Sequence, residues 1–358
     1  MRWSTTVGRF AGIDVKVHAT FLLLLGWVGL SHWMSEHTVE AIVVGIAFVL
    51  TIFACVVLHE FGHALTARRF GVNTRDIILL PIGGVARLER IPDDPRQELI
   101  IAAAGPAVNV VIAAVIAAWL QLTGGWQPLQ ELSVVGGAFL ERVLVVNIFL
   151  VVFNLIPAFP MDGGRMLRAL LALKMEYVKA TQIAASIGQM LAYGFGFLGL
   201  FTNPFLVFIA LFVWIGAAQE ASMVQMKAAL GGIPLEQVMI TDYRTLAPSD
   251  AIGRAVELTL GTSQKDFPVV SGDRLEGILT QTALLKALDQ RGRELRVADV
   301  MARDFQRAEL SEMIEPVFAR LQASDCRTIP VVKDGRVVGL VTMENVGEFL
   351  RIQAALRA

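Results

Sequence analysis

The chain has 358 residues, of which 55% are hydrophobic, and its 31 Lys and Arg against 32 Asp and Glu give a formal net charge of -1. The apolar fraction is too high for an ordinary soluble protein, and the near-zero charge gives no reason to expect a nucleic-acid partner. Charged residues are sparse up to about Gly231 and dense after it. We therefore expect a membrane domain followed by a soluble one.

Apolar stretches predict the membrane helices in chain order. Four stretches, residues 17–34, 39–65, 99–122 and 140–156, are long enough to cross about 30 Å of hydrocarbon. Residues 181–221 stay apolar for about twice that length and are interrupted at Asn203 and Pro204, which predicts two further helices joined by a tight turn. The sequence thus predicts six transmembrane helices.

Basic residues predict the orientation of these helices. Lys and Arg cluster before the first span and after the second and fourth, whereas the opposite connections, residues 31–40, 121–137 and 201–204, contain none. Only Arg142, at the edge of the fourth span, departs from this asymmetry. Because basic loops stay in the cytoplasm, we expect both termini to be cytoplasmic.

Two polar segments near the membrane domain alternate like β-strands. Residues 7–18 and 74–90 show this period of two, which predicts a small sheet on the cytoplasmic side. An extended substrate could add to an edge of such a sheet as a further strand. Simple loops at the membrane surface remain an equal alternative.

The second apolar stretch contains the sequence VVLHEFGHALTARR. His59 and His63 lie one helical turn apart on one face, with Glu60 beside them. Two neutral imidazoles at this spacing can share a Zn²⁺ ion, and the adjacent carboxylate can act as a general base toward water. A polar cluster that only holds helices together is the alternative, but three such groups in an apolar helix require partners inside the protein.

A third metal ligand is expected because a catalytic zinc usually takes three protein side chains. Asp162 in FNLIPAFPMDGGR is the best candidate, since prolines end the preceding helix and glycines let the chain turn back into the bundle. The alternative is that Asp162 caps a helix that begins there. The spare histidines, His18, His32 and His37, lie near the ends of the first span and are expected at the interface.

The C-terminal part contains an internal repeat with a period of about sixty residues. Residues 266–288 and 327–350 each show a strand after a proline, a tight turn, a second strand and an amphipathic helix. This pattern predicts a soluble α/β module built from two copies of one unit.

The motifs HEFGH and NLIPAFPMDGGR, together with LLPIGGVARLER and AAAGPAVNVV, resemble the site-2 protease family of intramembrane metalloproteases. The resemblance implies that His59, His63 and Asp162 bind one Zn²⁺ per chain and that Glu60 is the general base. It also implies that Asn154 lies at the active site, where its amide could hold substrate or stabilise an oxyanion. Asn109 and Asn147 are weaker candidates for the same role.

That family cuts transmembrane segments of membrane-protein substrates within the lipid bilayer. The resemblance thus implies a multi-pass protein of a prokaryotic cell membrane that carries out regulated intramembrane proteolysis.

The repeated C-terminal units resemble paired CBS motifs, which in many relatives bind adenine nucleotides and form homodimers. Relatives that bind nucleotide commonly carry an Asp that accepts from the ribose, but this chain has Ala283 and Asn345 at the two equivalent positions. Thr342 and Asn345 remain candidates, so a nucleotide-binding module and a module without ligand both stay open.

The predicted architecture is a mainly α polytopic membrane protein with a small β element, followed by a tandem CBS module. We place the metalloprotease domain at 1–225, a linker at 226–234, and the CBS motifs at 235–292 and 293–358. The competing function is a CBS-gated transporter or channel, which would need polar groups across the whole bilayer rather than near one face. A metal-binding scaffold without catalysis is a third possibility, against which the intact Glu60 argues.

Overall fold

The computed structural model describes residues 3–81, 83–89, 92, 94–124, 137–324 and 326–357. The helices in these residues are α1 Ala19–Glu36, α2 Val39–Arg69, α3 Pro95–Leu122, α4 Phe139–Asn154, α5 Asp162–Ala172, α6 Tyr177–Phe201, α7 Phe205–Leu230, α8 Ile252–Gly261, α9 Gln281–Arg291, α10 Ile314–Ala323 and α11 Met343–Arg357. The strands are β1 Ser4–Phe10, β2 Ile13–His18, β3 Thr74–Leu80, β4 Gly83–Leu88, β5 Phe267–Ser271, β6 Arg274–Leu279, β7 Ala308–Glu309, β8 Thr328–Lys333 and β9 Arg336–Thr342.

The chain divides into two compact units, Met1–Val224 and Gln225–Ala358. The first unit is mainly helical and carries one small sheet, whereas the second is a mixed α/β structure. Helix α7 begins in the first unit and ends in the second.

Four of the described helices, α2, α3, α6 and α7, are long and apolar enough to cross a membrane. The other two predicted spans correspond to α1 and α4, which do not reach that standard. Helix α4 has only 16 residues, and the last turn of α1 carries Ser35 and Glu36, which lower its hydropathy. Six spans are therefore more than the structure supports directly. A 16-residue helix extends only about 24 Å, less than the hydrocarbon core.

The two alternating segments form one four-stranded sheet in the order β1-β2-β3-β4. Each segment supplies an antiparallel hairpin, and β2 pairs with β3 in parallel to join them. Ile13 and Ile77 of this sheet pack against Ala64 of α2. The sheet is thereby fixed to the helix that carries His59 and His63.

Helices α2 and α3 approach each other closely at Gly62. A methyl group at position 62 would lie 2.7 Å from the carbonyl oxygen of Ala104, so only glycine allows this approach. The contact brings the middle of α3 against the histidine-bearing part of α2.

The second unit contains the repeat that the sequence predicts. One copy has the β5-β6 hairpin followed by α9, and the other has the β8-β9 hairpin followed by α11. Each copy has its own buried core, centred on Phe267 and Leu279 in the first and on Ile329 and Val341 in the second. Leu230, the last residue of α7, belongs to the second of these cores.

Candidate metal centre

Three side chains converge in the first unit, and each is a common metal ligand. His59 Nε2 lies 3.1 Å from Asp162 Oδ2, His63 Nε2 lies 3.2 Å from the same oxygen, and the two Nε2 atoms are 3.1 Å apart. His59 and Asp162 are each 7% exposed and His63 is 6% exposed. In the described part of the chain this is the one group of three such residues close enough to hold a metal ion.

In each histidine, the hydrogen-bond partner of Nδ1 determines that Nε2 faces the point where the three side chains meet. His63 Nδ1 lies 2.7 Å from the carbonyl oxygen of Ile101. A carbonyl oxygen only accepts, so Nδ1 carries the proton and Nε2 presents its lone pair.

For His59 the same assignment follows through two asparagines. Asn147 donates from Nδ2 to the carbonyl oxygen of Val143 at 2.9 Å, so its Oδ1 accepts from Asn109 Nδ2, also at 2.9 Å. Asn109 Oδ1 then accepts from His59 Nδ1 at 2.5 Å. The chain of bonds leaves His59 Nε2 unprotonated and directed at Asp162.

These assignments test whether the residues fit a metal ion. Two imidazole lone pairs and a carboxylate oxygen meet with no proton between them, which is repulsive unless a cation lies among them. The separations of 3.1, 3.1 and 3.2 Å are close to the edge of about 3.3–3.4 Å expected for a tetrahedral zinc with ligands at about 2.0–2.1 Å. The site therefore fits a zinc ion bound by two histidines and one aspartate.

Gly105 of α3 leaves the space in which the ligand atoms meet. A methyl group at position 105 would lie 2.2 Å from His63 Nε2 and 2.6 Å from His59 Nε2. Glycine is required at position 105 because a side chain would collide with the imidazoles, and not because of the backbone conformation. Gly105 has no local signal in the sequence, because the contact exists only once α2 and α3 are packed together.

The carboxylate of Asp162 reaches the histidines because the chain before it folds back. Residues 155–161 leave the helical path after α4, and Asp162 is the first residue of α5. A methyl group at Gly163 would lie 2.3 Å from the carbonyl oxygen of Ile156, so the loop can pack this tightly only on glycine. Asp162 opens a helix, as the capping alternative required, but its side chain is directed at the two imidazoles.

Glu60 lies beside the ligands on α2 and contacts the edge strand β4. Its Oε2 accepts a hydrogen bond of 3.0 Å from the amide of Ala86. The side chain is half-buried, unlike the three ligands. One oxygen is therefore anchored, and the other has no hydrogen-bond partner among the described residues.

The remaining predicted site residues are placed differently. Asn154 is half-buried at the end of α4 and is not a hydrogen-bond partner of His59 or His63 among the described residues. Asn109 and Asn147, which the sequence ranked lower, are fully buried and orient His59. His18 caps α1 by accepting from the amide of Thr20, and His32 lies 3.0 Å from the carbonyl oxygen of Val28.

The second unit contains a cavity of about 620 Å³ that is lined by both repeats. Thr342 and Asn345 line it, together with Tyr243, Gln264 and Arg327. The hydroxyl of Thr342 accepts from the amide of Asn345 at 3.1 Å, and Thr280 caps α9 in the same way in the first repeat. Asn345 Oδ1 is buried and has no partner among the described residues.

Asp266 joins the two repeats at this cavity. It accepts from the amide of Gln281 at 2.9 Å and from the hydroxyl of Thr328 in the other repeat at 2.7 Å. Asp266 was not among the predicted site residues, because it precedes the first strand of its repeat whereas the predicted ligand positions lie at the end of the second strand or after it. Nearby, burial raises the pKa of the Cys326 thiol to about 11, so this cysteine is not a thiolate at neutral pH.

Comparison with known proteins identifies the family of this chain. The model of peptidase family M50 matches residues 47–134 and 130–195. A zinc metalloprotease of Methanocaldococcus jannaschii is 32% identical over 97% of this chain and 96% of its own length. The chain belongs to peptidase family M50, the site-2 protease family. Membership in this family makes the protein an intramembrane zinc metalloendopeptidase.

Further matches extend over the rest of the chain. The CBS domain model matches residues 235–290 and 297–351. The putative zinc metalloprotease Rip3 of Mycobacterium tuberculosis is 27% identical over 98% of this chain and 94% of its own length. A solved site-2 protease from Methanocaldococcus jannaschii is 38% identical over 61% of this chain and 95% of that chain, with a TM-score of 0.45. The CBS match shows that the chain carries a CBS pair after its peptidase part.

Proposed function

We propose that this site-2 protease cuts transmembrane segments of membrane proteins with one zinc ion held by His59, His63 and Asp162. The main support is the convergence of three donor atoms that carry no proton: Nε2 of His59 and of His63, each ring held at its Nδ1, and the carboxylate oxygen of Asp162. Zinc bound there supplies Lewis acidity toward the scissile carbonyl and toward water. We assign the metalloprotease domain to 1–225, a linker to 226–234, and the CBS motifs to 235–292 and 293–358.

Glu60 is the proposed general base. The amide of Ala86 holds Oε2, so the other oxygen is free to take a proton from the attacking water. The same oxygen later delivers that proton to the nitrogen of the leaving amine, so that hydrolysis adds one water across the peptide bond. We keep Asn154, at the end of α4, as a candidate for holding substrate or stabilising the oxyanion.

The test is zinc content and cleavage of a single-span substrate by detergent-purified protein. Glu60→Gln should retain about one zinc per chain and lose cleavage, whereas Asp162→Asn should lose both. Glu40→Gln, an exposed change on the same helix, is the matched control and should behave like the wild type. Full cleavage by Glu60→Gln would refute the base assignment, and a wild type without metal would refute the site.

The free edge of β4 is the proposed site for the substrate backbone. β4 ends the sheet, and its Ala86 amide points at Glu60, so a strand added there would lie next to the general base. Cysteine cross-linking tests this proposal. A Val85→Cys protein should cross-link to substrate positions two residues apart, whereas Val7→Cys on the opposite edge strand β1 should not. Equal cross-linking from both edges would contradict it.

We propose that α1 and α4 complete six membrane passages with α2, α3, α6 and α7, and that both termini are cytoplasmic. The basic residues after α2 and after α4 support this orientation. Labelling of single cysteines at positions 37 and 202 from outside the cell, and at positions 71 and 174 only after permeabilisation, would support it. The reverse pattern would contradict it. The cell is expected to be prokaryotic.

We further propose that the CBS pair modulates cleavage through α7 when an adenine nucleotide binds near Thr342 and Asn345. Val213 and Ala217 of α7 pack around the loop that precedes Asp162, and Leu230 lies in the core of the second unit. The unpartnered Asn345 Oδ1 offers an acceptor to a ligand.

This modulation is tested by titrating ATP, AMP and adenosine while following unfolding temperature and cleavage rate. Asn345→Leu should abolish any ligand-induced change in unfolding temperature. Gln225→Pro, which interrupts α7 between its two sets of contacts, should retain the temperature shift but lose the effect on cleavage, and Gln225→Ala should retain both. No shift with any of the three ligands would contradict nucleotide binding. The CBS pair is also the proposed contact of a homodimer, which light scattering of the full chain would detect.

A further inference from the structure

A buried charge cluster lies in the first unit away from the three ligands, and catalysis as described does not use it. The Arg168 side chain of α5 is almost completely buried, with its residue 1% exposed. Its Nε donates to Glu98 Oε1 at 2.8 Å, its Nη2 donates to the same oxygen, and its Nη1 donates to Glu220 Oε1 at 2.5 Å. One guanidinium therefore connects α5 to α3 and α7.

Two aromatic rings complete the surroundings of Arg168. The guanidinium carbon lies 5.0 Å from the centre of the Phe159 ring and 5.1 Å from that of Tyr177. Phe159 belongs to the loop immediately before Asp162, and Tyr177 begins α6 and donates weakly to Glu98 at 3.4 Å. Arg168 thus contacts the loop and three helices besides its own.

The cluster links two helices, α3 and α5, that both contribute to the metal site. Helix α3 carries Glu98 and also Ile101 and Asn109, which orient His63 and His59. Helix α5 carries Asp162 at its first residue. The bonds from Arg168 to Glu98 therefore join the element that bears the third ligand to the element that orients the first two. We infer that Arg168 is a positioning residue that fixes Asp162 against the two histidines.

The alternative is that the cluster serves stability alone. Buried ion pairs are often replaceable by apolar groups with little loss of stability, because desolvation offsets much of their attraction. Arg168 also makes two bonds to one carboxylate oxygen and one to another, a geometry that restrains direction as well as distance. A positioning role predicts effects on the metal site in protein that remains folded.

The experiment uses the full chain in detergent and rests on the proposed zinc site. Two properties are measured well below the unfolding temperature: the rate of zinc release to a chelator, and the visible absorption of protein loaded with Co²⁺. Arg168→Met should release zinc about tenfold faster or more and change the Co²⁺ spectrum. Arg168→Lys keeps the charge but loses the forked guanidinium, so its zinc-release rate should fall between those of Arg168→Met and the wild type.

Leu120→Ala at the far end of α3 is the control, since it removes buried volume without touching the cluster. It should lower the unfolding temperature and leave zinc release and the spectrum unchanged. If Arg168→Met does not fold, Glu220→Gln and Glu98→Gln test the same bonds singly and should each speed zinc release. Wild-type release and spectrum in folded Arg168 and Glu98 variants would overturn the inference while leaving the zinc site intact. A wild type that binds neither metal would overturn the proposed function itself.

Discussion

Replacing Gly105 by alanine should remove zinc from an otherwise folded protein. The added methyl carbon would lie 2.2 Å from His63 Nε2 and 2.6 Å from His59 Nε2. Non-bonded heavy atoms ordinarily approach to about 3.5 Å, so α3 or the imidazoles must move by roughly 1 Å.

Either movement would disturb existing contacts. Each imidazole is held at Nδ1, by Asn109 at 2.5 Å and by the carbonyl of Ile101 at 2.7 Å. Helix α3 is held against Gly62 of α2. Ligand distances must stay within about 0.2 Å for a zinc site, so a shift of this size should weaken zinc binding by more than about 100-fold, or about 2.7 kcal/mol.

The assay is zinc per chain by elemental analysis after dialysis against a weak chelator, with thermal unfolding in parallel. Gly194→Ala on α6 is the matched control, because a methyl group there meets nothing within 4 Å. It should retain zinc and gain about 0.5–1 kcal/mol of stability. Wild-type zinc content in Gly105→Ala would refute the placement of the three ligands.

Three further outcomes are expected. Asn109→Leu leaves His59 Nδ1 without an acceptor and should weaken zinc binding by about 10–100-fold in chelator competition, so an unchanged affinity would argue against the orienting chain of bonds. Asp76 is held by Arg87 and Lys16, and hydrogen bonds from Arg87 lower the pKa of its carboxyl from 3.8 to about 2. Asp76→Asn should therefore lower the free energy of unfolding by about 1–2 kcal/mol at neutral pH, and this difference from wild type should disappear as pH falls from about 4 to 2. Unfolding midpoints of both proteins across that range are the measurement. A difference that stays constant with pH would contradict the lowered pKa of Asp76. Thr328→Val removes a donor from buried Asp266 and should lower the stability of the second unit by about 1–3 kcal/mol in thermal unfolding, whereas a wild-type midpoint would exclude this link between the repeats.

The grouping of the three candidate ligands was predictable where it depended on local spacing. His59 and His63 share a helix face at a separation of four, and the glycines after Asp162 allow a turn, so these residues could be named from the sequence. Their orienting partners could not, because Ile101 offers a backbone carbonyl and Asn109 acts from another helix. Both depend on the packing of α3 against α2.

The fold, like the site, was predictable where it depended on local sequence and not where it depended on packing. Alternation predicted strand-like structure in the two segments that form the first sheet, with surface loops as an equal alternative. It could not show that each segment makes a hairpin or that β2 pairs with β3 in parallel across helices α1 and α2. Hydropathy placed six apolar segments, of which four became helices that meet the length and hydropathy of a membrane span. The repeat was evident from the pattern and the CBS pair from the resemblance of its two copies to that motif. The bond between Asp266 and Thr328 joins different repeats and has no local signal.

X-ray absorption at the zinc edge of the purified protein tests whether one zinc ion is bound by two imidazoles and one carboxylate. We expect a first shell at about 2.0–2.1 Å with the outer-shell scattering of two histidine rings, preserved in Glu60→Gln and reduced to one ring in His63→Ala. A shell without histidine scattering, or with the same scattering after His63→Ala, would contradict this coordination.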